Sequence, residues 1–484
     1  MRSKYLMSVD VGTQSAKVII FDYDGNILCQ GSEPLQKIHV PAPLLAIHPD
    51  DDLWDSLCLA FERVMDNYLA LGHQPDQIQA MGLCVIRCCR TVVKENGELA
   101  YPVIGWMDKR LNTPYQYQPE FKGTRYVSTS SGYITHRLTG QFTDTCANYI
   151  GWWPMDDEKL EWSIDPQKWQ DCNLTREMVM DVVKPGEILG YLRPELAERF
   201  RLPAKLPVVA TAHDKAVEAL GAGSLHDGTV LISLGTYIAA LTQGKDYVKN
   251  SHDFWPFQAS IPHHYIYECW GVRLGMWTVS WFRDQFGEAA LAEAQDKDKD
   301  IQIEELLAQE ASTVAPGSEG LMTLHDWAAP PHAEFRKGAM IGFDSRHTRA
   351  HMYRSLLEGI AFTLKNHVDR MNAELNIPTQ DLVVSGGGAN SDLFMQILAD
   401  VFGVPARRNV MRGSAAVGCA INAGMAVGAF DSYEEAIEKM VNVDQVFSPN
   451  RDNHDFYNAL NRGVYQHIQQ HLDPLLQTLS PLVD

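Results

Sequence analysis

An acidic residue, a glycine and several hydroxyl or amide side chains are concentrated near the N-terminus, in the run SVDVGTQSAK at 8–17. Gly12 would let the backbone approach a ligand closely, Asp10 offers a carboxylate, and Lys17 offers a positive charge. The turn also carries hydrogen-bond donors: Thr13, Gln14 and Ser15. This chemistry suits a magnesium-bound phosphate, although many Gly-Thr pairs are simply turns. Both interpretations stay open for this stretch alone.

A second stretch of the same kind lies more than two hundred residues later. Residues 229–242 read TVLISLGTYIAALT, which predicts a strand, a turn at Gly235 and Thr236, and another strand. Two similar hairpins indicate a duplicated domain. We therefore expect two phosphate-binding turns that face each other.

Asp214 is the strongest single candidate for catalysis. It follows the apolar run LPVVAT at 206–211 and opens a predicted helix that ends near Gly221 and Gly223. That position places a carboxylate at the carboxyl end of a strand, where α/β proteins bind ligands. A helix cap is the alternative, and the position alone favours neither.

Three consecutive glycines, 386–388, lie between a predicted strand at 381–385 and a predicted helix at 392–402. Bare backbone at this point would let a nucleotide lie against the loop, and the N-terminus of the following helix would supply N–H groups. A strand-to-helix turn without a ligand is the alternative.

The elements that must position these residues are visible in the sequence. Apolar, β-prone runs predict strands at 5–9, 17–22 and 27–31, so that the first turn joins two antiparallel strands. Amphipathic patterns predict a helix after Pro49 and another after Thr348. The small-residue run GSAAVGCAINAGMAVG at 413–428 predicts a helix that must pack very tightly.

Length and charge limit the class of protein. A chain of 484 residues is too long for one ordinary core, so we expect two domains, 1–246 and 247–484. The hydrophobic fraction of 45% is typical of a globular protein. The net charge of −20 argues against binding to nucleic acid or anionic membranes, and no apolar run is long enough to span a bilayer.

The chain has nine cysteines, an odd number, and three of them, Cys84, Cys88 and Cys89, are close together in the sequence. This usage indicates reduced thiols, and the N-terminus has no signal-peptide pattern, so we predict a cytoplasmic protein. A zinc site is not expected, because no second Cys or His pair has the spacing of zinc ligands.

Other nucleotide-binding signatures are missing from the sequence. There is no G-x-x-x-x-G-K-[ST] run, no complete G-x-G-x-x-G, and no protein-kinase signature. These absences argue against P-loop proteins, Rossmann dehydrogenases and protein kinases.

In chain order, the motifs resemble the FGGY family of carbohydrate kinases, in the actin/hexokinase/Hsp70 superfamily. The likeness covers nearly the whole chain. Its matching segments are DVGTQSAKVIIFD from 10, WMDKR from 106, GYITHRLTGQFTDTCAN from 132, ATAHDKAVEALGAG from 210, ISLGT from 232, VVSGGGANSDLFMQILADVFGVPARR from 383 and GSAAVGCAINAG from 413.

The resemblance implies an α/β fold of two RNase H-like, actin-like ATPase domains that close on MgATP and a sugar or polyol in the cleft between them. It assigns Asp214 as the general base and Asp10 to Mg²⁺. The ATP-binding residues that it implies are Thr13, Gln14, Lys17, Gly235, Thr236, Gly387, Gly388 and Ser391. The substrate-binding residues that it implies are Arg87, Cys88, Trp106, Asp108 and Lys215.

The acceptor-binding strand departs from the family pattern. Xylulokinase-like members have Gln-Met-His and glycerol kinases Gln-Arg-Glu where this chain has Ile86-Arg87-Cys88. A thiol cannot accept two hydroxyl hydrogen bonds as a carboxylate does. Arg87 could face an anionic or keto group, or form an ion pair with Asp108. His213 replaces a small residue beside the predicted base, and the region 111–131 is shorter than in most relatives by roughly two dozen residues.

We therefore predict ATP-dependent phosphorylation of a hydroxyl of a sugar, ketose or polyol, with ATP and Mg²⁺ as cofactors. We expect no nucleic-acid or membrane partner, and a homodimer is compatible with the resemblance. The altered acceptor strand leaves a catalytically degenerate nucleotide sensor as the alternative, although the retained Asp214 argues against it. An Hsp70- or actin-like ATPase is disfavoured, because a peptide-binding domain is missing.

Overall fold

Two large mixed β-sheets organise the protein, whose computed structural model describes residues 3–294, 302–330 and 333–483. The strands of the first half are β1 Tyr5–Val11, β2 Ser15–Phe21, β3 Ile27–Pro34, β4 Ile78–Val85, β5 Arg90–Lys94, β6 Leu99–Ile104, β7 Thr124–Ser128, β8 Thr143–Thr145, β9 Met155–Asp156, β10 Glu161–Trp162, β11 Asp181–Val183, β12 Ile188–Tyr191 and β13 Pro207–Ala210. The strands of the second half are β14 Thr229–Leu234, β15 Ile238–Gly244, β16 Phe254–Gln258, β17 Tyr265–Cys269, β18 Met322–Leu324, β19 Ala339–Ile341, β20 Asp381–Ser385, β21 Ala406–Asn409 and β22 Val443–Phe447.

The α-helices lie between these strands and after the last one. They are α1 Asp52–Ala70, α2 Ser130–Thr139, α3 Pro166–Cys172, α4 Pro194–Phe200, α5 Asp214–Gly221, α6 Gly275–Ala294, α7 Ile303–Ser312, α8 Arg349–Leu375, α9 Asp392–Phe402, α10 Ser414–Ala426, α11 Tyr433–Met440, α12 Arg451–Leu460 and α13 Gln466–Val483.

The two sheets have the same strand order and the same strand directions. The first sheet runs β12-β13-β4-β1-β2-β3, and the second sheet runs β22-β21-β20-β14-β15-β17 with β16 added at its edge. In each sheet the second, third and fourth strands are parallel neighbours, and the outer pairs are antiparallel. The expected duplication is therefore confirmed, and so is the α/β fold with two sheet-and-helix domains.

Both predicted hairpins are present, and each contributes the central strand of its sheet. β1 pairs with β2 so that Asp10 lies opposite Lys17, and β14 pairs with β15. Each central strand also has a parallel neighbour, β4 or β20, on its other side. The Gly-Thr turns consequently lie at the carboxyl ends of β1 and β14, next to the ends of those parallel strands.

The second hairpin belongs to the second sheet. Sheet membership changes between β13, which ends at Ala210, and β14, which begins at Thr229. The domain boundary predicted at residue 246 lies after this hairpin, and it remains a prediction. The hairpin pattern predicts two paired strands, but it does not say which sheet they join, because that depends on β20 about 150 residues later.

The predicted ends of the helices agree with the structure where a capping residue marks them in the sequence. Gly140 and Gly403 adopt left-handed conformations directly after α2 and α9, at φ of 76° and 72°. Thr348 is the N-cap of α8, as expected. On α1 the apolar face is buried, but Leu71 lies past the last turn and is exposed.

The small-residue helix α10 packs as tightly as its composition predicts. It contacts β1, β4 and α5, although it lies more than two hundred residues after the first sheet. A Cβ on Gly418 would lie 2.1 Å from the Val217 carbonyl oxygen, and one on Gly221 would lie 1.9 Å from the Ser414 carbonyl oxygen. Glycine at both positions lets α5 and α10 approach backbone to backbone.

An apolar cluster joins the two sheets through this helix pair. It contains Val217 of α5, Cys419 of α10, Leu231 of β14 and Val383 of β20, all buried. A separate core lies on the other face of each sheet. Within the described ranges, no helix is long and apolar enough to cross a membrane.

Candidate active site

The first Gly-Thr turn presents its polar side chains to solvent. Gly12 N–H donates to the Ser15 carbonyl oxygen at 3.1 Å, which closes the turn between β1 and β2. Thr13, Gln14 and Lys17 are all exposed. Because their donors are not used inside the hairpin, they are free to meet a ligand.

The second turn also has a glycine that donates to a backbone carbonyl and an exposed threonine, but its hydrogen bond runs back to the preceding strand. Gly235 N–H donates to the Ser233 carbonyl oxygen at 3.1 Å, and Thr236 is exposed at the tip. Two residues earlier, Ser233 Oγ accepts a 2.7 Å hydrogen bond from Lys215 Nζ and donates to Glu218 Oε2 at 3.0 Å. The strand that carries the second turn is therefore bonded directly to the helix that begins at Asp214.

A compact polar network holds the start of α5 against the second sheet. Lys215 Nζ also donates to Glu218 Oε2 at 2.8 Å, and Ser385 Oγ donates to the other oxygen of Glu218. Burial alone would lower the pKa of Lys215, but the carboxylates of Glu218 and Asp214 outweigh it and raise that pKa. Lys215 is thus a fixed positive charge next to Asp214.

Asp214 is the first residue of α5, and its side chain is about one-third exposed. Burial alone would raise the pKa of Asp214, but His213 and the charges of Arg87 and Lys215 hold it well below its usual range. The carboxylate is therefore ionised at neutral pH. It does not act as the N-cap, which is His213, although Oδ1 accepts from Lys215 N–H at 2.9 Å.

Arg87 lies between Asp214 and a carboxylate of the second sheet. Its Nη1 and Nη2 donate to Glu268 Oε2 and Oε1 at 2.7 and 3.0 Å, and its Nε lies 3.5 Å from Asp214 Oδ1. The alternative of an ion pair with Asp108 is wrong, because Asp108 pairs with Arg110 at 2.7 Å instead.

The other predicted acceptor residues differ in what they offer. Asp108 is buried, and its oxygens accept from Ala46 N–H and from the backbone and guanidinium of Arg110. This geometry supports a structural role and gives no support to direct substrate contact. Trp106 has an exposed indole, and Cys88 is exposed in a left-handed conformation at φ 57°. Surrounding protein raises the pKa of the Cys88 thiol to about 11.

The glycine loop lies against the second turn. A Cβ on Gly386 would lie 2.5 Å from the Leu234 carbonyl oxygen, and one on Gly388 would lie 2.8 Å from the Leu234 side chain. Gly387 is exposed, and a Cβ added to it would meet no atom of the described chain within 4 Å. Ser391 Oγ accepts from Phe394 N–H at 3.3 Å and caps α9. Packing therefore accounts for two of the glycines, and only Gly387 presents open backbone.

The environment of Asp10 fits a divalent cation. Burial, reinforced by the carboxylates of Asp214 and Glu218, raises the pKa of Asp10 to about 6, and Lys17 only partly offsets this. No hydrogen bond or ion pair from any described residue reaches the Asp10 carboxylate. The Asp10 carboxylate thus offers oxygen atoms that are not bonded to any described residue, and carboxylate oxygen is the ligand type that Mg²⁺ prefers.

Aromatic side chains lie next to Arg87 and Asp214, the part of the site that we call the acceptor side. The Phe257 ring lies 5.8 Å from the Arg87 guanidinium and 5.7 Å, edge-on, from the His213 ring. Burial lowers the pKa of His213, whose Nδ1 lies 3.9 Å from Asp214 Oδ1. Phe257 also lines a cavity of about 200 Å³ together with Tyr149 and Trp153.

Several residues at this site were not predicted from the sequence: Glu218, Ser233, Phe257, Glu268 and Ser385. Glu268 carried the clearest signal, since it is a lone carboxylate in the apolar strand YIYEC of β17. A buried carboxylate requires a positively charged partner, so a lone glutamate in an apolar strand predicts that a basic side chain packs against it; here that side chain is Arg87.

Family models match both halves of the chain. The N-terminal domain of the FGGY family of carbohydrate kinases matches residues 5–118 and 115–221, and the C-terminal domain of the same family matches residues 230–427.

Curated relatives are similar over almost their whole length. The chain is 45% identical to an uncharacterized sugar kinase, YgcE, of Escherichia coli strain K12, over 99% of this chain and 96% of the relative. It is 26% identical to a xylulose kinase of Lactococcus lactis, over 93% of each chain. A glycerol kinase of Thermococcus gammatolerans is 25% identical, over 93% of this chain and 94% of the relative.

Solved structures share the fold at lower identity. A ligand-bound xylulose kinase from Lactobacillus acidophilus superposes with a TM-score of 0.83 at 18% identity, covering 99% of this chain and 100% of that one. A Plasmodium falciparum glycerol kinase with ADP superposes with a TM-score of 0.79 at 18% identity, covering 96% and 98%.

Proposed function

This chain belongs to the FGGY family of carbohydrate kinases, and we propose that it transfers the terminal phosphoryl group of MgATP to a hydroxyl of a sugar, ketose or polyol. Membership of the family makes it a phosphotransferase with an alcohol group as acceptor, and implies the use of ATP. The proposal adds the metal ion, the residues that act, and the class of acceptor.

One observation carries the proposal. An ionised and partly open Asp214 lies where α5 of the first half is bonded, through Lys215 and Ser233, to the strand that ends in the second Gly-Thr turn. A general base needs this combination of charge and access, next to groups that can hold the phosphoryl donor.

In the proposed reaction Asp214 takes the proton of the acceptor hydroxyl while that oxygen attacks the γ-phosphorus. The bond from the γ-phosphorus to the bridging oxygen breaks, and ADP leaves. Phosphoryl transfer needs little covalent help from the protein, so positioning and aimed donors dominate. The donors that we assign to the phosphates are Thr13, Gln14, Lys17, Gly235 and Thr236.

Asp10 is the residue that we assign to Mg²⁺, directly or through water. When bound, the ion neutralises charge on the phosphates. Gly387, with Gly388 and Ser391 behind it, would let the adenosine lie along the start of α9. These roles follow the family resemblance, and the exposed turn, the open glycine and the unpaired carboxylate support them.

A polyhydroxy acceptor is favoured for two reasons. Relatives that match this chain over most of its length are named xylulose kinase and glycerol kinase. The acceptor side also combines an arginine, an ionised aspartate and an aromatic wall formed by Phe257, which suits hydroxyl groups on a carbon chain. Arg87, Cys88, Trp106 and Lys215 remain our candidates for contact with the acceptor.

The test is a screen of purified protein with MgATP against ketoses, polyols, aldoses and sugar acids. ADP formation is followed by a coupled assay, and the phosphorylated product is identified by mass spectrometry. We expect acceptor-dependent ADP formation with at least one neutral polyhydroxy compound. If no compound in a broad panel is phosphorylated while an ATP analogue still binds, the nucleotide-sensor alternative is favoured.

Two further expectations belong to this proposal. All nine cysteines are unpaired thiols, which supports a reducing compartment such as the cytoplasm.

A homodimer is compatible with the family resemblance. Light scattering after size-exclusion chromatography measures the oligomeric state.

A further inference from the structure

A bidentate ion pair connects the two halves of the protein across the acceptor side of the site. Arg87 follows β4 of the first sheet, whereas Glu268 lies on β17 of the second sheet. Both bonds are short, at 2.7 and 3.0 Å, and the exposed fractions of the two side chains are 19% and 4%. A desolvated, two-point pair of this kind fixes the guanidinium in one orientation.

The fixed orientation limits how closely the Arg87 guanidinium approaches the carboxylate of Asp214, the predicted base. With Nη1 and Nη2 held by Glu268, only Nε approaches Asp214, at 3.5 Å. A guanidinium free of Glu268 would turn to make two short bonds with Asp214, since this is its preferred geometry with a carboxylate. Glu268 therefore keeps the Asp214 carboxylate from being fully occupied by arginine.

Hydrogen-bond counting shows which ligand groups the fixed arginine can still accept. Of the five N–H groups of a guanidinium, two donate to Glu268, and Nε lies 3.5 Å from Asp214, so at least the two other N–H groups remain. Hydroxyl oxygens can accept from these two and can also donate to the neighbouring carboxylates. A ligand carboxylate can only accept, and it would lie beside two carboxylates of like charge.

The net charge of the residues around Arg87 also disfavours an anionic acceptor. Arg87, Asp214 and Glu268 sum to one negative charge, and the adjacent Lys215 is paired with Glu218. His213 adds no positive charge, because burial lowers its pKa. The acceptor side therefore has no free cation among these residues with which to bind an anionic sugar.

We propose, on the basis of the function proposed above, that Glu268 is a positioning and specificity-determining residue: by holding and neutralising Arg87, it restricts the acceptor to uncharged polyhydroxy compounds and excludes sugar acids. The arginine on the acceptor strand, which by itself suggests an anionic substrate, serves here to bind hydroxyl groups.

The test compares the binding of matched neutral and anionic probes to the wild type and to Glu268→Gln. Isothermal titration calorimetry measures the affinities for ribitol, xylitol and D-glucitol and for D-ribonate, D-xylonate and D-gluconate, with Mg²⁺ and a non-hydrolysable ATP analogue present. Glutamine nearly preserves the shape of the side chain but removes one negative charge, so that Arg87 and Asp214 are left with no net charge between them. We expect at least one of the three acids to bind the variant roughly tenfold or more tightly than it binds the wild type.

Glu268→Asp and Asp473→Asn are the control variants. Glu268→Asp keeps the charge and should keep the wild-type preference. Asp473→Asn removes the carboxylate of another bidentate pair, with Arg336 at 2.9 and 2.6 Å, far along the chain on α13, and should not alter the affinity for any acid. A general loss of stability would affect both Glu268→Gln and Asp473→Asn, whereas a gain in acid affinity is specific to the acceptor site.

The proposal is overturned if a sugar acid binds the wild type more tightly than its matched alditol. It is also overturned if the acids bind Glu268→Gln no better than the wild type, including the case in which none binds either protein. Because binding is measured without turnover, these outcomes are independent of the screen for phosphoryl transfer, whose failure would contradict the proposed function alone.

Discussion

Asp214 depends on its neighbours for the chemistry that we assign to it. Burial alone would raise the pKa of its carboxyl group, but His213, Arg87 and Lys215 lower it and keep the carboxylate ionised. Asp10 shows the opposite behaviour, because burial and the carboxylates of Asp214 and Glu218 raise its pKa to about 6. Two acidic residues in one site thus have separated pKa values, which is the pattern expected where one acts as a base and the other awaits a cation.

The raised pKa of Asp10 predicts a pH effect on stability. The ordinary pKa of the group is 3.8 and the folded value is about 6, so the folded state binds the extra proton between these values. The stabilising contribution is fully present below pH 3.8 and is lost as the pH rises to about 6. Metal-free Asp10→Asn should therefore be more stable than the wild type at pH 7, with the difference vanishing near pH 4.

Urea unfolding of both proteins across this pH range measures the difference in the free energy of unfolding. A difference that stays constant with pH would show that Asp10 ionises normally. The same variant should also lose Mg²⁺-dependent turnover, because an amide is a weaker ligand for the ion than a carboxylate.

Thr236, at the tip of the second turn, tests whether that turn binds the phosphates of ATP. Its side chain is exposed and has no hydrogen-bond partner to lose among the described residues, so Thr236→Val removes a donor while keeping the shape. We expect kcat/KM for ATP to fall about 10- to 100-fold with little change in melting temperature. Thr478→Val is the control at an exposed threonine of α13: it removes a local hydrogen bond from Thr478 Oγ1 to the Pro474 carbonyl oxygen, 2.9 Å long, and should leave kcat/KM for ATP unchanged. Wild-type kinetics for Thr236→Val would remove this residue from the site.

At the residue scale, the sequence predicted the positions that lie in local motifs. Asp214 and the two turns were identifiable because each follows a recognisable strand. Glu268 was not, because it meets Arg87 only through the folded chain, 181 residues away in the sequence. Asp108 resembled a substrate ligand by motif, but its buried oxygens are used by Ala46 and Arg110.

At the scale of elements, the pair α5 and α10 holds the site together. The helix that begins with Asp214 is fixed on one side by α10 and on the other by the bonds of Lys215 and Glu218 to the second sheet. The sequence predicted both the small-residue helix and its tight packing. It did not predict that the helix returns to β1 and β4 of the first half, because nothing local encodes that contact.

This packing predicts a large cost for one added methyl group. In Gly418→Ala the new Cβ would lie 2.1 Å from the Val217 carbonyl oxygen, so α5 and α10 must move apart. We expect a loss of about 1–3 kcal/mol in the free energy of unfolding, together with lower activity because Asp214 shifts with α5. Urea unfolding and steady-state kinetics measure the two effects.

Gly463→Ala is the matched control for that substitution. Gly463 lies in a helical segment, and a Cβ added there would meet no atom of the described chain within 4 Å. Alanine at this position should therefore be neutral or stabilise by up to about 1 kcal/mol. Equal stability of both variants would contradict the close approach of α5 and α10.

At the scale of the whole molecule, the function depends on two sheets with the same order of strands. The repeat of two Gly-Thr hairpins predicted this duplication, and the bonds from Lys215 to Ser233 show that the two halves meet at the site. The sheet that each hairpin joins could not be predicted, because parallel pairing with β4 or β20 is a long-range contact. The ion pair of Arg87 with Glu268 links the halves at the same place.

The most direct test of the account is acceptor-dependent ADP formation by Asp214→Asn, compared with the wild type at saturating ATP. Asparagine keeps the size of the side chain but cannot take the proton, so turnover should fall by about 10²- to 10⁴-fold. Binding of an ATP analogue should be nearly unchanged, since Asp214 contacts Arg87, His213 and Lys215 and not the glycine loop. Wild-type turnover in this variant would contradict the assignment of Asp214 as the base.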